Sequence, residues 1–414
     1  MAAHQLRAPP SCSPTLKYST TPSLRYPVKI AVVGCGAVGC FYGAKLARAG
    51  HEVHFLLRSD YESVRRQGVL VRSPEGDFQV RPQCARHSEE IGPADLVLVG
   101  LKTTANDAFP KLLPPLVGSS TAVVTLQNGL GNEEDLARLF PVAQIMGGLC
   151  FVCLNRMEPG VIHHLGYGQV VLGEFQRRPE PRTHDLATRF CDAGVPCTIA
   201  ENLARAHWQK LVWNIPFNGL GVASAAGFDA LEQLARSSVS AERRQLPGRE
   251  TAALCLTAAT PLLPCLTTDK LLGNARWAQL VRDLMLEVIA AARALGFEIP
   301  DAFADQQIER TRTMGAYRAS TLIDFERGRP LELQSLFLEP LRQATQTGVA
   351  TPRLSALCTV LQGLDQELGC IGEEQGRGCA AAGFGSDSGG ETTRALCAKS
   401  DGVPAHRRGP HCFI

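Results

Sequence analysis

Lys210, Asn214 and Asn218 recur at intervals of four in "HWQKLVWNIPFN", on an apolar background of Leu211, Val212, Trp213, Ile215, Phe217 and Leu220. Residues four apart share one helix face, and each polar group buried there without a partner would cost about 1–3 kcal/mol. A bound polar ligand can supply those partners; a polar seam against another helix is the alternative. A second group lies in "RASTLIDFERGRPLELQSL", where Ser320 and Asp324 are again four apart, Gly328 can end their helix, and Pro330 can open another with Glu332 two positions further in. Taken alone, Glu332 reads as a first-turn acid complementing a helix dipole.

A third group is "KIAVVGCGAVG", in which an apolar run stops at Gly34, Gly36 and Gly39, with Cys35, Ala37 and Val38 between them. Glycine lets the chain turn tightly, approach a ligand closely and pack the next helix on the strand it has left, and the free N–H groups at that helix start suit a pyrophosphate. The context, a strand before and a helix after, with "HEVHFLL" as a second strand, points to a dinucleotide. Arg58 stands where an NAD enzyme carries an acid for the ribose 2′-hydroxyl, which favours NADPH over NADH. In the competing reading Arg58 is merely solvated and Asp60 serves as that acid.

The positioning elements follow from the pattern. "VLVRSPEGDFQVRP" reads as a hairpin turning at Pro74 to Gly76, and "ADLVLVGLK" and "TAVVTLQNG" read as buried strands ending in Lys102 and Asn128. Ligands of a doubly wound sheet lie beyond its carboxyl strand ends, so Lys102 and Asn128 would face the cofactor cleft. After "GQVVLGE" the pattern turns helical, with a kink expected at Pro216. These features give an α/β Rossmann domain with a mainly parallel sheet over 27–197, then an all-α domain over 198–369.

The charge balance, a net +2, provides no basic field for nucleic acid. No apolar run approaches the ~18 residues needed to cross a bilayer, so a membrane role is not expected. The 15 cysteines are scattered; Cys150 and Cys153 sit in a strand-like segment whose alternation sends them to opposite faces, as it does the adjacent His163 and His164, and no metal is expected. Residues 1–26 lack acids and a secretory core, so they read as a disordered leader in a cytoplasmic protein, with a mitochondrial address as the alternative. The Gly/Ser/Cys-rich stretch 370–414 reads as an unfolded tail, and the final "HCFI" misses a prenylation box. Oligomeric state is left open, a homodimer included.

Together, "GCGAVG", "GLK", "QNGLGN", "HWQKLVWNIPFN" and "S-T-L-I-D…R-P-L-E" resemble the ketopantoate reductase family from about Lys29 to Leu368. The resemblance implies a cleft between the two domains where NADPH reduces a small 2-oxo acid, 2-dehydropantoate, to pantoate. It puts the proton-donating lysine at Lys210, substrate-binding residues at Asn214, Asn218, Ser320 and Glu332, and an asparagine touching both ligands at Asn128. Such a lysine must be charged, with its pKa drawn down by partial burial. Glu332 would hold the ammonium or bind a substrate hydroxyl. Two departures stand out: an insert at about 223–266, and Gln334, Phe337 and Leu338 where the family shows an acid and a small turn, bulk expected to narrow the pocket. A reductase of another 2-oxo or 3-hydroxy acid, and a catalytically silent NADPH-binding protein, are the competing functions.

Overall fold

The computed structural model describes residues 26–242 and 262–380. The expected leader, the centre of the expected insert and the end of the expected tail lie outside the described residues.

Ten strands form one sheet: β1 (Lys29–Val33), β2 (Glu52–Leu56), β3 (Val69–Arg72), β4 (Phe78–Val80), β5 (Gln83–Ala85), β6 (Ala94–Val99), β7 (Val117–Thr125), β8 (Ile145–Glu158), β9 (Val161–Glu174) and β10 (Cys197–Ile199). Their order is β4-β3-β9-β8-β7-β6-β1-β2-β5, with β10 beside β9. The run from β5 through β2, β1, β6 and β7 to β8 is parallel. β9 returns antiparallel to β8, and β3 and β4 form the expected hairpin. Strand β1 shows why the sequence reads as an unbroken apolar run. Ile30 and Val32 enter one core cluster with Phe41 and Leu46 of helix α1 (Ala37–Arg48), while Ala31 and Val33 enter the cluster on the opposite face. The parallel order reverses at β1 and β6, so the chain ends after these strands open a crevice.

Beyond Asn202, whose side chain accepts from Arg205 N and starts helix α2 (Leu203–Ala223), the described chain is helical. Helix α2 carries the Lys210 stripe and is buried on nearly all sides from Leu211 onward. Helices α4 (Ala275–Ala294) and α7 (Pro352–Ala380) pack against it, and helix α3 (Phe228–Glu242) packs against α7. Helices α5 (Ala302–Arg312) and α6 (Ser320–Glu326) complete the wall facing the sheet.

Several expectations need correction. Helix α2 is continuous through Pro216, the site of the expected kink, because packing on several sides outweighs one missing donor. Pro330 does not open a helix with Glu332 inside it: Leu331 and Glu332 lie outside any helix or strand, and Leu333 caps a π-helical segment Gln334–Leu338. Phe337 is fully buried in the helical core against Gly219, so its bulk fills the core rather than the pocket. The expected insert begins with α3, an integral helix. The last helix runs past Cys370 to Ala380, extended from a stripe of Leu354, Leu357, Leu361 and Leu364 that anchors its first half. Cys150 and Cys153 are both buried, Cys150 beside Tyr42 of α1 and Cys153 beside Tyr317 of the helical part, and the nearby register shifts skip Gly168 and Leu165 on β9. Among the described residues no helix is long and apolar enough to cross a membrane, and no group of three or more His, Cys, Asp and Glu residues is arranged to hold a metal ion.

A backbone contact helps to join the sheet to the helical part. The loop after β7 inserts Leu130 into the helical core, and Leu130 N donates to Ser335 O at 2.9 Å. Gly129 makes this approach with φ +87°, and a Cβ there would lie 2.3 Å from the same carbonyl. Gly129→Ala is therefore expected to lower the unfolding free energy by about 1–3 kcal/mol, read as the denaturant midpoint. A loss under about 0.5 kcal/mol would show that the docking is not rigid.

Candidate active site

A cleft of about 1800 Å³ opens between the carboxyl ends of the strands and the helical part. It is lined by Gly34, Cys35, Gly36, Ala37, Val38, Arg58, Lys102, Asn128, Lys210, Asn214, Asn218, Ser320 and Glu332. Gly39 is the exception among the expected residues. A Cβ on Gly39 would sit 2.2 Å from Gly34 O, so its part is to let α1 pack on the turn behind the cleft.

The other two glycines divide the work differently. Gly34 has φ +96° and touches the chain after β6, where a Cβ would meet Leu101 N at 2.2 Å. Gly36, by contrast, would place a Cβ in open space, with nothing within 4 Å. That space lies at the start of α1, the place a pyrophosphate would take. Arg58 is exposed at the cleft edge after β2. Asp60, the competing ribose ligand, is buried, and both its carboxylate oxygens accept from Arg156 Nη2 at 2.5 Å. The nucleotide end therefore presents a guanidinium and no uncommitted Asp60.

Lys102 follows β6 and reaches across the cleft. Its Nζ donates to Asp324 Oδ2 (2.9 Å) on α6 and Glu332 Oε2 (2.7 Å), and Glu332 Oε1 accepts from Thr103 N at 2.9 Å. Burial alone would lower this lysine's pKa, but the charges of Glu332 and Asp324 outweigh it and hold the pKa above the ordinary value. The expectation that Glu332 holds the Lys210 ammonium is thus corrected: the nearer lysine, with a backbone N–H beside it, takes both carboxylate oxygens.

Lys210 Nζ instead donates to Asn128 Oδ1 (2.7 Å) and Cys150 O (2.9 Å), and lies 5.3 Å from the Phe151 ring centroid. Its immediate acceptors are neutral. Burial dominates, the more distant Cys150 thiol and Glu332 oppose it, and the pKa falls from 10.5 to about 8. One turn on, Asn214 is buried and faces the cleft. A further turn on, Asn218 Oδ1 accepts from Ser320 Oγ (3.2 Å), Thr321 N (3.2 Å) and Thr321 Oγ1 (3.1 Å). That leaves its amide as the group to offer a ligand. The three-residue stripe is therefore both a cleft wall and, at Asn218, a seam to α6; both readings of the sequence apply.

Sequence reasoning missed Arg156, the carbonyl of Cys150 and the network Thr125–Gln127–Asn106 that supports the loop bearing Asn128. Polar residues at the carboxyl ends of β6 and β7 were the available signal for Gln127 and Asn106; Arg156, within a strand, carries none.

Residues 30–177 match the family model described as ketopantoate reductase PanE/ApbA, and residues 251–365 match its C-terminal counterpart. The second match begins inside the stretch expected to be an insert. A 2-dehydropantoate 2-reductase from Nostoc sp. is 39% identical over 348 residues, covering 81% of this chain and 95% of the relative. The crystal structure of 2-dehydropantoate 2-reductase from Geobacter metallireducens is 44% identical, with a TM-score of 0.69 over 81% of this chain and 99% of that one. A D-mandelate dehydrogenase solved with NADH shares the fold at 18% identity and a TM-score of 0.65. With the glycine loop, the bridging lysine and the Lys210 stripe arranged around one cleft, these matches show that the chain belongs to the ketopantoate reductase family of oxidoreductases.

Proposed function

We propose that this chain reduces 2-dehydropantoate to pantoate, with NADPH supplying hydride to the C2 ketone and Lys210 supplying the proton. The carrying observation is the ammonium of Lys210, fixed by two acceptors at the cleft floor with one N–H left over. The names of the Nostoc and Geobacter relatives support the substrate. A ketone that gains hydride becomes an alkoxide, which a positioned acid must protonate as it forms. With a pKa of about 8, Lys210 is charged at neutral pH yet a stronger acid than a solvated lysine. Asn218, its oxygen committed, offers a donor to a substrate carboxylate or hydroxyl, and Asn214 and Ser320 add polar groups beside it. Glu332 acts through Lys102, holding α6 and Ser320 against the sheet. Gly36 gives the backbone room for the pyrophosphate, and Arg58 suits a 2′-phosphate. The described cysteines are thiols, which suits a reducing, cytoplasmic setting.

NADPH oxidation by the purified chain with a panel of 2-oxo acids tests the reading. Ketopantoate should give the highest kcat/KM; preference for another acid, or tight NADPH binding with no oxidation, would sink it. Lys210→Ala should cost about 10²–10⁴ in kcat and change the NADPH Kd less than about threefold. Since Lys210 must be protonated to act, the rate should stay level below about pH 8 and fall about tenfold per unit above it. Arg58→Ala should reduce the preference for NADPH over NADH by about 10–100-fold, measured as the ratio of kcat/KM values. An unchanged ratio would reassign the 2′-phosphate contact.

A further inference from the structure

His207 Nε2 lies 2.9 Å from Glu133 Oε1, and both residues are buried, at 6% and 3% exposure. Neither takes part in the reaction above. A polar pair of this kind pays a desolvation penalty that its mutual attraction seldom repays, so stability is a weak account of it. Its position suggests another. Glu133 lies five residues beyond Asn128, in the first turn of the short helix Asn132–Ala137. His207 stands three residues before Lys210 on α2, hence on the same side of that helix. Strand β8 makes room for the carboxylate: a Cβ on Gly147 would come within 2.3 Å of Glu133 Oε1. The pair thus links the loop that carries the acceptor to the helix that carries the donor, beside their 2.7 Å contact.

We infer that His207 and Glu133 are positioning residues, which hold Lys210 in register with Asn128 and keep water away from the ammonium; the inference rests on Lys210 being the proton donor. The carboxylates beside the link are Glu134 and Glu339, the second of which acts on the first. Glu134, its carboxyl raised first by burial, feels both Glu133 and His207, while Lys210 itself is influenced by Cys150 and Glu332. Because burial is the main cause of the low Lys210 pKa, a loosened link should return that pKa toward the ordinary lysine range.

The test is the pH profile of kcat for ketopantoate reduction, with NADPH affinity measured alongside. H207Q keeps a donor that can reach Glu133 and should stay within about threefold of wild type. In H207L/E133L both polar partners are replaced by apolar groups, a change tolerable to folding. That variant should lose about tenfold or more in kcat, keep its NADPH Kd within about twofold, and show an alkaline limb moved up from about 8. A folded double variant with wild-type kcat and limb overturns the inference. If the double variant does not fold, H207N decides, since its shorter amide cannot span to Glu133: it must show the loss and the moved limb that H207Q lacks, and equal behaviour of the two overturns the inference. A wild-type profile flat through pH 8 refutes the role of Lys210 as well, and is told apart in that way from failure of the link alone.

Discussion

The site depends on one ammonium group removed from water and given only neutral oxygens in exchange. Asn128 Oδ1 and Cys150 O satisfy two of the donors of Lys210 without cancelling its charge, so the loss of hydration governs its acidity. Lys102 shows the opposite outcome in the same cleft. Its side chain stays half-exposed, and it meets two carboxylates whose attraction outweighs the partial burial of its ammonium. Two lysines on facing walls are thereby set apart: one is a fixed tie between the sheet and α6, the other an ammonium whose pKa is drawn down.

This division explains the arrangement around them. Glu332 bonds Lys102 and Thr103 N, so its charge reaches Lys210 only from a distance and raises that pKa less than burial lowers it. Asp60 is treated similarly at the far end. Arg156 absorbs its charge, so an anionic ligand approaching Arg58 meets less repulsion.

What could be read from the sequence was what local spacing encodes. The glycine loop, the i+4 stripe of Lys210, Asn214 and Asn218, and the polar strand ends Lys102 and Asn128 all announce themselves within a few residues, and all line one cleft. Their partners do not. The carbonyl of Cys150 is 60 residues from Lys210, and Asp324 is 222 from Lys102, separations for which no short pattern exists. Glu332 shows the same limit: the resemblance gave it the Lys210 ammonium or a substrate hydroxyl, and no local pattern could say that Lys102 is the ammonium it faces. Phe337 was misjudged because bulk reads the same in a pocket wall and in a core, and only the contact with Gly219 separates them. The tail was set to begin too early because composition records the lack of apolar residues after Cys370, not the helix already under way before it.

The docking of Leu130 has a bearing on how this architecture can diverge. By chain position Leu130 belongs to the nucleotide-binding half, yet by packing it is part of the other half's interior, with Ser335 moulded to the turn beside it. A graft that joined the front half of one homologue to the rear half of another at residue 200 would cut through this socket without touching a covalent bond inside it. The natural seam for exchanging parts therefore runs around the Gly129–Gly131 turn, which must travel with the helices it plugs.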